Sequence, residues 1–161
     1  MSNSKKIVLI GYFNVGKSSL IRRFVQNIFT DDYLVTIGVH ILKKKLIVND
    51  VEKTLIIWDI EGKEDVKTVR PSYLMGTSGF IYVIDPTRIH TYQNLNEEIK
   101  FIKKNYPNTP IIIVANKCDL IDIEAFKKEL LDLEIEIDFL TSAKTAENVE
   151  QIFINLSNKI F

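Results

Sequence analysis

At 161 residues, with 21 basic against 21 acidic side chains, the chain fits one domain with a single substantial core and carries no overall nucleic-acid signal. Its lone cysteine, Cys118, excludes an internal disulfide and favours a reducing compartment. No signal-peptide apolar region follows MSNSKK, no apolar stretch approaches about 20 residues, and NKIF at the end holds no cysteine for prenylation. The expectation is a cytoplasmic protein without a membrane anchor of its own.

Apolar runs then alternate with helical patterns, without repeats or low-complexity segments. KIVLIG (Lys6–Gly11) reads as a buried strand, and Leu20, Ile21, Phe24, Val25 and Ile28 recur at helical spacing. Val39–Val48 and Lys53–Asp59 follow as two strands, with Asn49 and Asp50 as a hairpin turn. Lys43, Lys44 and Lys45 suit a solvated strand edge, where charge discourages further pairing. GFIYVID (Gly79–Asp85) is another buried strand, and Tyr92–Lys104 is helical with Leu95, Ile99 and Ile102 on one face. PIIIVAN (Pro110–Asn116) precedes a charged helix near Asp122–Leu131. IEIDFLT (Glu134–Thr141) reads as a strand, and a last helix carries Val149, Ile152, Phe153, Leu156 and Ile160.

The order is β-α-β-β-α-β-α-β-α-β-α. Apolar runs without alternation are strands covered on both faces. The fold class is therefore α/β: a six-stranded, mostly parallel sheet, one antiparallel edge strand, helices on both faces, and one domain over 1–161. Ligands of such sheets sit at the carboxyl ends of the strands, so the loops there carry the functional reading.

The first of these loops is GYFNVGKSS. Gly11, Gly16, Lys17 and Ser18 match G-x-x-x-x-G-K-[ST] between a strand and a helix. The backbone N–H groups of Asn14, Val15, Gly16, Lys17 and Ser18 can wrap a phosphate chain at a helix N-terminus. Lys17 suits β- and γ-phosphates, and the Ser18 hydroxyl suits Mg²⁺. Phe13 would project over the phosphates or out to solvent.

NKCD follows the fourth apolar run. Asp119 can accept two parallel hydrogen bonds from the ring N–H and amino group of guanine, a pair that adenine lacks. Lys117 can lie over the base and brace the phosphate loop, and Asn116 can tie loops together. In TSAK (Thr141–Lys144), a backbone N–H, with Ala143 the candidate, can reach the guanine oxygen while Ser142 holds Asp119. Cys118 reads as a small apolar filler, and His40 and His90 as surface or edge residues. Trp58 either packs against a helix or belongs to an exposed partner patch.

Taken together the chain resembles the Ras superfamily of small GTPases over nearly its full length. GYFNVGKS, Thr36 in VTIGVH, DIEG, NKCD and TSAK stand in the family's order, and TIGVH and IIWD are most similar to the Rab branch. The resemblance implies a P-loop GTPase fold and a switch that binds GTP or GDP with Mg²⁺. It also implies effectors bound in the GTP state, and an exchange factor and an activating protein meeting the switch segments Thr30–Gly38 and Ile60–Met75. Thr36 would close over the γ-phosphate and bind Mg²⁺ with Ser18 and Asp59. Phe29 would pack on the guanine, Tyr33 cover the phosphates, and Gly62 donate its N–H to the γ-phosphate. Ser19 and Lys144 complete the expected nucleotide set. Ile37, Val39, Ile41 and Trp58 are the exposed apolar candidates for effectors.

Three positions depart from the family. Lys63 stands where a glutamine usually orients the attacking water; an ammonium has three donors and no acceptor. Phe13 stands beside the entry path of an arginine finger, where a small residue is usual. Glu61 either pairs with Lys63, Lys67 or Arg70, or approaches the water; Lys63 and Glu61 are thus the candidate catalytic pair, and Glu64 a further acceptor. The implied enzyme is a slow GTPase. The competing reading is a hydrolysis-deficient pseudo-GTPase serving as a nucleotide-locked binding module. A P-loop enzyme of another class, such as a nucleotide kinase, is disfavoured by NKCD with TSAK.

Overall fold

A computed structural model describes residues 2–31, 36–62 and 65–161. β1 (Ser4–Ile10) sits inside the sheet, parallel to β3 (Val51–Ile60) on one side and β4 (Gly79–Ile84) on the other. β5 (Ile111–Ala115) and β6 (Phe139–Leu140) extend it in parallel, and β2 (Val39–Val48) closes the far edge antiparallel to β3. The order is β2-β3-β1-β4-β5-β6. Asn49 and Asp50, both at positive φ (51° and 61°), turn the β2–β3 hairpin, a conformation that asparagine and aspartate tolerate well. Lys43 and Lys45 are exposed on the edge strand, and Lys45 Nζ reaches Glu52 at 2.9 Å.

Alternate residues of the parallel strands feed two cores. Ile7, Leu9, Ile81, Val83, Ile112 and Val114 meet Leu20 and Ile21 of α1 (Lys17–Gln26) and Ile152, Phe153 and Leu156 of α5 (Val149–Ile160). Phe24 stacks on Phe153 across these helices, ring centroids 4.1 Å apart. Val8, Ile10, Phe80, Tyr82 and Ile84 meet Leu95, Ile99 and Ile102 of α3 (Leu95–Asn105) and Phe126 and Leu130 of α4 (Ile123–Asp132) on the other face. This double burial is why the strands read as unbroken apolar runs. Among the described residues, no helix is long and apolar enough to cross a membrane.

Some elements differ from the sequence reading. α1 stops at Asn27 in the left-handed region (φ 54°), leaving Ile28 beyond the helix and exposed. Among the described residues, the segment between β3 and β4 holds only a 3₁₀ turn (Val66–Thr68) and a four-residue helix, α2 (Pro71–Leu74). The strand expected over Glu134–Thr141 shrinks to Phe139–Leu140. Glu134 takes φ 55° and donates to Leu131 O while Ile135 N donates to Leu130 O, so these residues finish α4 as a Schellman cap and Ile135 enters the core. Asp138 Oδ2 then accepts from Ile113 N, a side chain taking a ladder bond before β6 begins. Trp58 is half-buried against Tyr73 (6.3 Å), with Lys6 Nζ 3.6 Å from its ring centroid, so it both covers core and reaches the surface.

Candidate functional site

A cavity of about 410 Å³ opens at the carboxyl ends of β1, β3, β5 and β6, with Lys17, Ser18, Phe29, Thr36, Gly62, Lys117 and Asp119 in its wall. The loop between β1 and α1 forms its floor. Gly11 has φ 147°, and a Cβ there would stand 2.2 Å from Val83 O; at Gly16, φ 102°, it would stand 2.1 Å from Asn116 Nδ2. α1 begins without a side-chain cap or an acidic residue in its first turn, leaving its N–H donors to a ligand. Lys17 is 6% exposed and its Nζ donates to Gly11 O and Tyr12 O, both at 3.0 Å. Burial pulls its pKa down to about 8, against the attraction of Asp59.

Beside the loop three oxygens converge. Ser18 Oγ lies 2.5 Å from Asp59 Oδ2 and 2.8 Å from Thr36 Oγ1, and Thr36 Oγ1 lies 3.5 Å from the same Oδ2. Asp59 is 4% exposed; burial raises its carboxyl pKa, with Ser18, Lys17, His40 and Thr36 opposing. Its other oxygen, Oδ1, is buried with no hydrogen-bond partner among the described residues. A buried carboxylate oxygen without a donor is costly unless a cation satisfies it. Two hydroxyls and one carboxylate around a phosphate-sized opening are hard oxygen ligands, and the set fits Mg²⁺.

The far end is tied by Asn116, 2% exposed: Nδ2 donates to Val15 O, and Oδ1 accepts from Thr141 Oγ1 and Ala143 N at 3.1 and 3.2 Å. The Ala143 N–H therefore already has an acceptor inside the protein. Ser142 Oγ donates to Asp119 Oδ1 at 2.7 Å and itself accepts from Thr145 N. Lys117, at φ 60°, sends Nζ to Asn14 O and to Asp85 Oδ2, both at 2.8 Å. Arg23 of α1 donates to Ala143 O and Lys144 O at 2.8 Å each, pinning the TSAK loop to the helix. Phe29 is half-buried in the wall, and Ser19 and Lys144 line it too.

Between the switch segments, Glu61 N donates to Gly38 O at 2.9 Å and Gly38 N donates to Glu61 Oε2 at 3.3 Å. The carboxylate thus takes a backbone partner in the opposite segment, one that neither sequence alternative included. Gly62 lies on the phosphate loop: a Cβ there would meet Phe13 Cα at 2.5 Å and Phe13 N at 2.8 Å. Phe13 is 48% exposed at the rim, between this cavity and a second one lined by Tyr12, Arg88 and His90. Tyr33, Lys63 and Glu64 lie outside the described residues. Ile37 and Ile41 are exposed, whereas Val39 packs partly on the core. His40 and His90 are exposed. Cys118 is buried with its thiol pKa pushed up to about 11 by burial, then Glu147; that suits filler rather than redox work.

The sequence reading passed over Asp85, Arg88, Arg23, Tyr12 and Glu98. Asp85 directly follows β4 at the same end of the sheet as the motif residues, and that position was its available signal. Glu98 of α3 is 3% exposed and accepts from Tyr12 Oη at 2.8 Å. Burial pushes its pKa from 4.5 up to about 7, with Asp65 adding and Tyr12 and Lys67 opposing. A folded-state pKa above the unfolded one makes this group stabilising below pH 4.5, and that contribution is lost as pH rises to about 7. Glu98→Gln keeps the Tyr12 bond without the ionisation. It should raise unfolding free energy at pH 8 by roughly 1–3 kcal/mol, with the gain vanishing near pH 4.5 in urea titrations. A gain equal at both pH values would remove the ionisation as its cause.

A model of the Ras family matches residues 6–161. The chain is 34% identical over 160 residues to Ras-related protein Rab-22A of Homo sapiens, covering 96% of this chain and 82% of that protein. It is 35% identical over 161 residues to Ras-related protein Rab-1C of Dictyostelium discoideum (96% and 80%). Ras-related protein SEC4 of Saccharomyces cerevisiae is 34% identical over 159 residues (96% and 74%). With a family match over almost the whole length and Rab relatives at this identity, the chain belongs to the Ras family of small GTPases, near its Rab branch, and is a small GTPase switch.

Proposed function

We propose that this GTPase hydrolyses GTP slowly and signals mainly by how long it keeps the triphosphate. The observation that carries the nucleotide reading is the convergence of Ser18 and Thr36 on Asp59 Oδ2, with the carboxylate's Oδ1 orphaned, beside the phosphate loop; Ser18 and Thr36 line the same cavity as Asp119. The loop N–H groups and the α1 N-terminus cradle the phosphates, and Lys17 exchanges its two carbonyl acceptors for phosphate oxygens. Ser18, Thr36 and Asp59 would hold Mg²⁺, which neutralises phosphate charge when bound. Asp119 reads the guanine, its orientation set by Ser142.

Slowness follows from three residues. Lys63 offers the water no acceptor. Glu61 has the needed acceptor, and its carboxylate reaches the Gly38 N–H. Phe13 stands at the rim where an activating protein would insert a cation, so response to such proteins should be weak. Effectors and an exchange factor would meet the segments around Thr36 and Gly62, with exposed Ile37 and Ile41 as apolar anchors.

The test is single-turnover hydrolysis of GTP bound to purified protein with Mg²⁺ at 37 °C. Measurable GDP on the scale of an hour or more, absent without Mg²⁺, supports a slow switch. Complete retention of GTP over many hours would replace it with the nucleotide-locked binding module.

A further inference from the structure

We propose that Arg88 and Asp85 are positioning residues that aim two phosphate-loop donors and thereby set how long nucleotide stays bound. The proposal rests on the guanine-nucleotide reading of the cavity. Asp85 directly follows β4, its side chain 1% exposed. Oδ1 accepts from Thr87 N and Thr87 Oγ1 at 2.9 and 2.6 Å. Oδ2 takes two cations, Lys117 Nζ at 2.8 Å and Arg88 Nε at 3.0 Å. Each cation then grips one loop carbonyl: Lys117 Nζ reaches Asn14 O at 2.8 Å, and Arg88 Nη2 reaches Phe13 O at 2.6 Å.

The two carbonyls are consecutive, and that gives the contacts a direction. In a planar trans peptide the C=O and the next N–H point opposite ways, and the chain has no cis bond among its described residues. Holding Phe13 O outward turns the Asn14 N–H the other way, and holding Asn14 O does the same for the Val15 N–H. Asn14 sits at φ 58°, in the left-handed region that asparagine tolerates. The buried carboxylate orders both cations, and the cations order both donors. Arg88 suits this because a guanidinium can serve a carboxylate and a carbonyl at once from fixed nitrogens, which a lysine ammonium does less well over this span.

The experiment measures release of a fluorescent GDP from the Mg²⁺-loaded full chain into excess GDP, and repeats it with the inosine nucleotide, which lacks the guanine amino group. Arg88→Ala should speed release roughly tenfold, one charge-assisted bond's worth. It should do so by the same factor for both nucleotides, because the base is read elsewhere. Arg88→Lys should recover part of the loss. Asp85→Asn should speed release further, and adding Arg88→Ala to it should change little, since both act through one carboxylate. Release from Arg88→Ala at the wild-type rate, or a loss confined to the guanine nucleotide, overturns the proposal while leaving the nucleotide reading intact. Wild-type protein that binds neither nucleotide overturns that reading, and the clamp with it. Should Asp85→Asn fail to fold, the Arg88 pair still decides, because Arg88 is partly exposed and outside the core.

Discussion

Replacing Asp119 with Asn should weaken GDP binding by two to four orders of magnitude, and restore part of it for the xanthine nucleotide. A carboxylate offers two acceptors to the two donors of guanine, and an amide offers one acceptor and one donor. Ser142 Oγ donates to Asp119 Oδ1 at 2.7 Å while accepting from Thr145 N, so its proton favours an oxygen at that position in the variant as well. The amide N–H₂ then meets a guanine donor, and neither group has a partner in a cavity lined by Phe29, Ala143 and Lys144. Sites built around a specific hydrogen-bond pair reject mismatches by factors of this size, because polar groups are left desolvated and unpaired. Xanthine carries an oxygen where guanine carries the amino group, so it matches the amide. Equilibrium titration of wild type and variant with both diphosphates checks this. Unchanged GDP affinity would refute the assignment of the base to Asp119.

The parts of the molecule that were legible in the sequence are those where one physical demand dominates. β4 and the Ile7–Ile10 part of β1 are buried on both faces, and β5 nearly so, so apolar residues fill them and the runs stand out. The phosphate loop was legible because positive φ and close approach leave only glycine at positions 11 and 16. β6 was not, because Ile135 and Ile137, which look like strand residues, pack on the core from the cap and turn after α4. The expected order places a helix between β3 and β4, but α2 holds four residues, too few for periodicity to mark its bounds. Arg88 was invisible for a different reason: beside Asp85, it grips a backbone carbonyl 75 residues away, and carbonyls leave no trace in residue type. Glu61 is intermediate. Its unusual placement beside the glycine was readable, but the Gly38 N–H that it accepts from is again backbone. Motifs reveal side chains that touch ligand. The groups that hold the loop in shape do so through the main chain and emerge only from the fold.

Lys63→Gln should raise single-turnover GTP hydrolysis by roughly a hundredfold, the low end for a group that orients water or moves its proton. Lys63 lies outside the described residues, so the expectation comes from its chemistry and its place after Gly62. An ammonium can partly neutralise a γ-phosphate, but it cannot accept a proton or a hydrogen bond from the attacking water; a glutamine oxygen can. Glu61 makes the outcome discriminating. Its carboxylate is the nearby acceptor in the described wall, and it also bridges the switch segments through Gly38. If that bridge is its role, Glu61→Ala lowers the rate modestly by loosening Thr36 and Gly62, and Lys63→Gln still accelerates in the Glu61→Ala background. If Glu61 handles the water, Glu61→Ala abolishes the residual rate and Lys63→Gln restores it by supplying a new acceptor. A fall in rate for Lys63→Gln alone would make the lysine itself part of the catalytic machinery, with its charge on the γ-phosphate outweighing the lost acceptor. Phe13→Gly separates access from chemistry: it leaves the water's acceptor unchanged and opens the rim. It should therefore leave the intrinsic rate within a fewfold of wild type while raising the response to any protein that inserts an arginine.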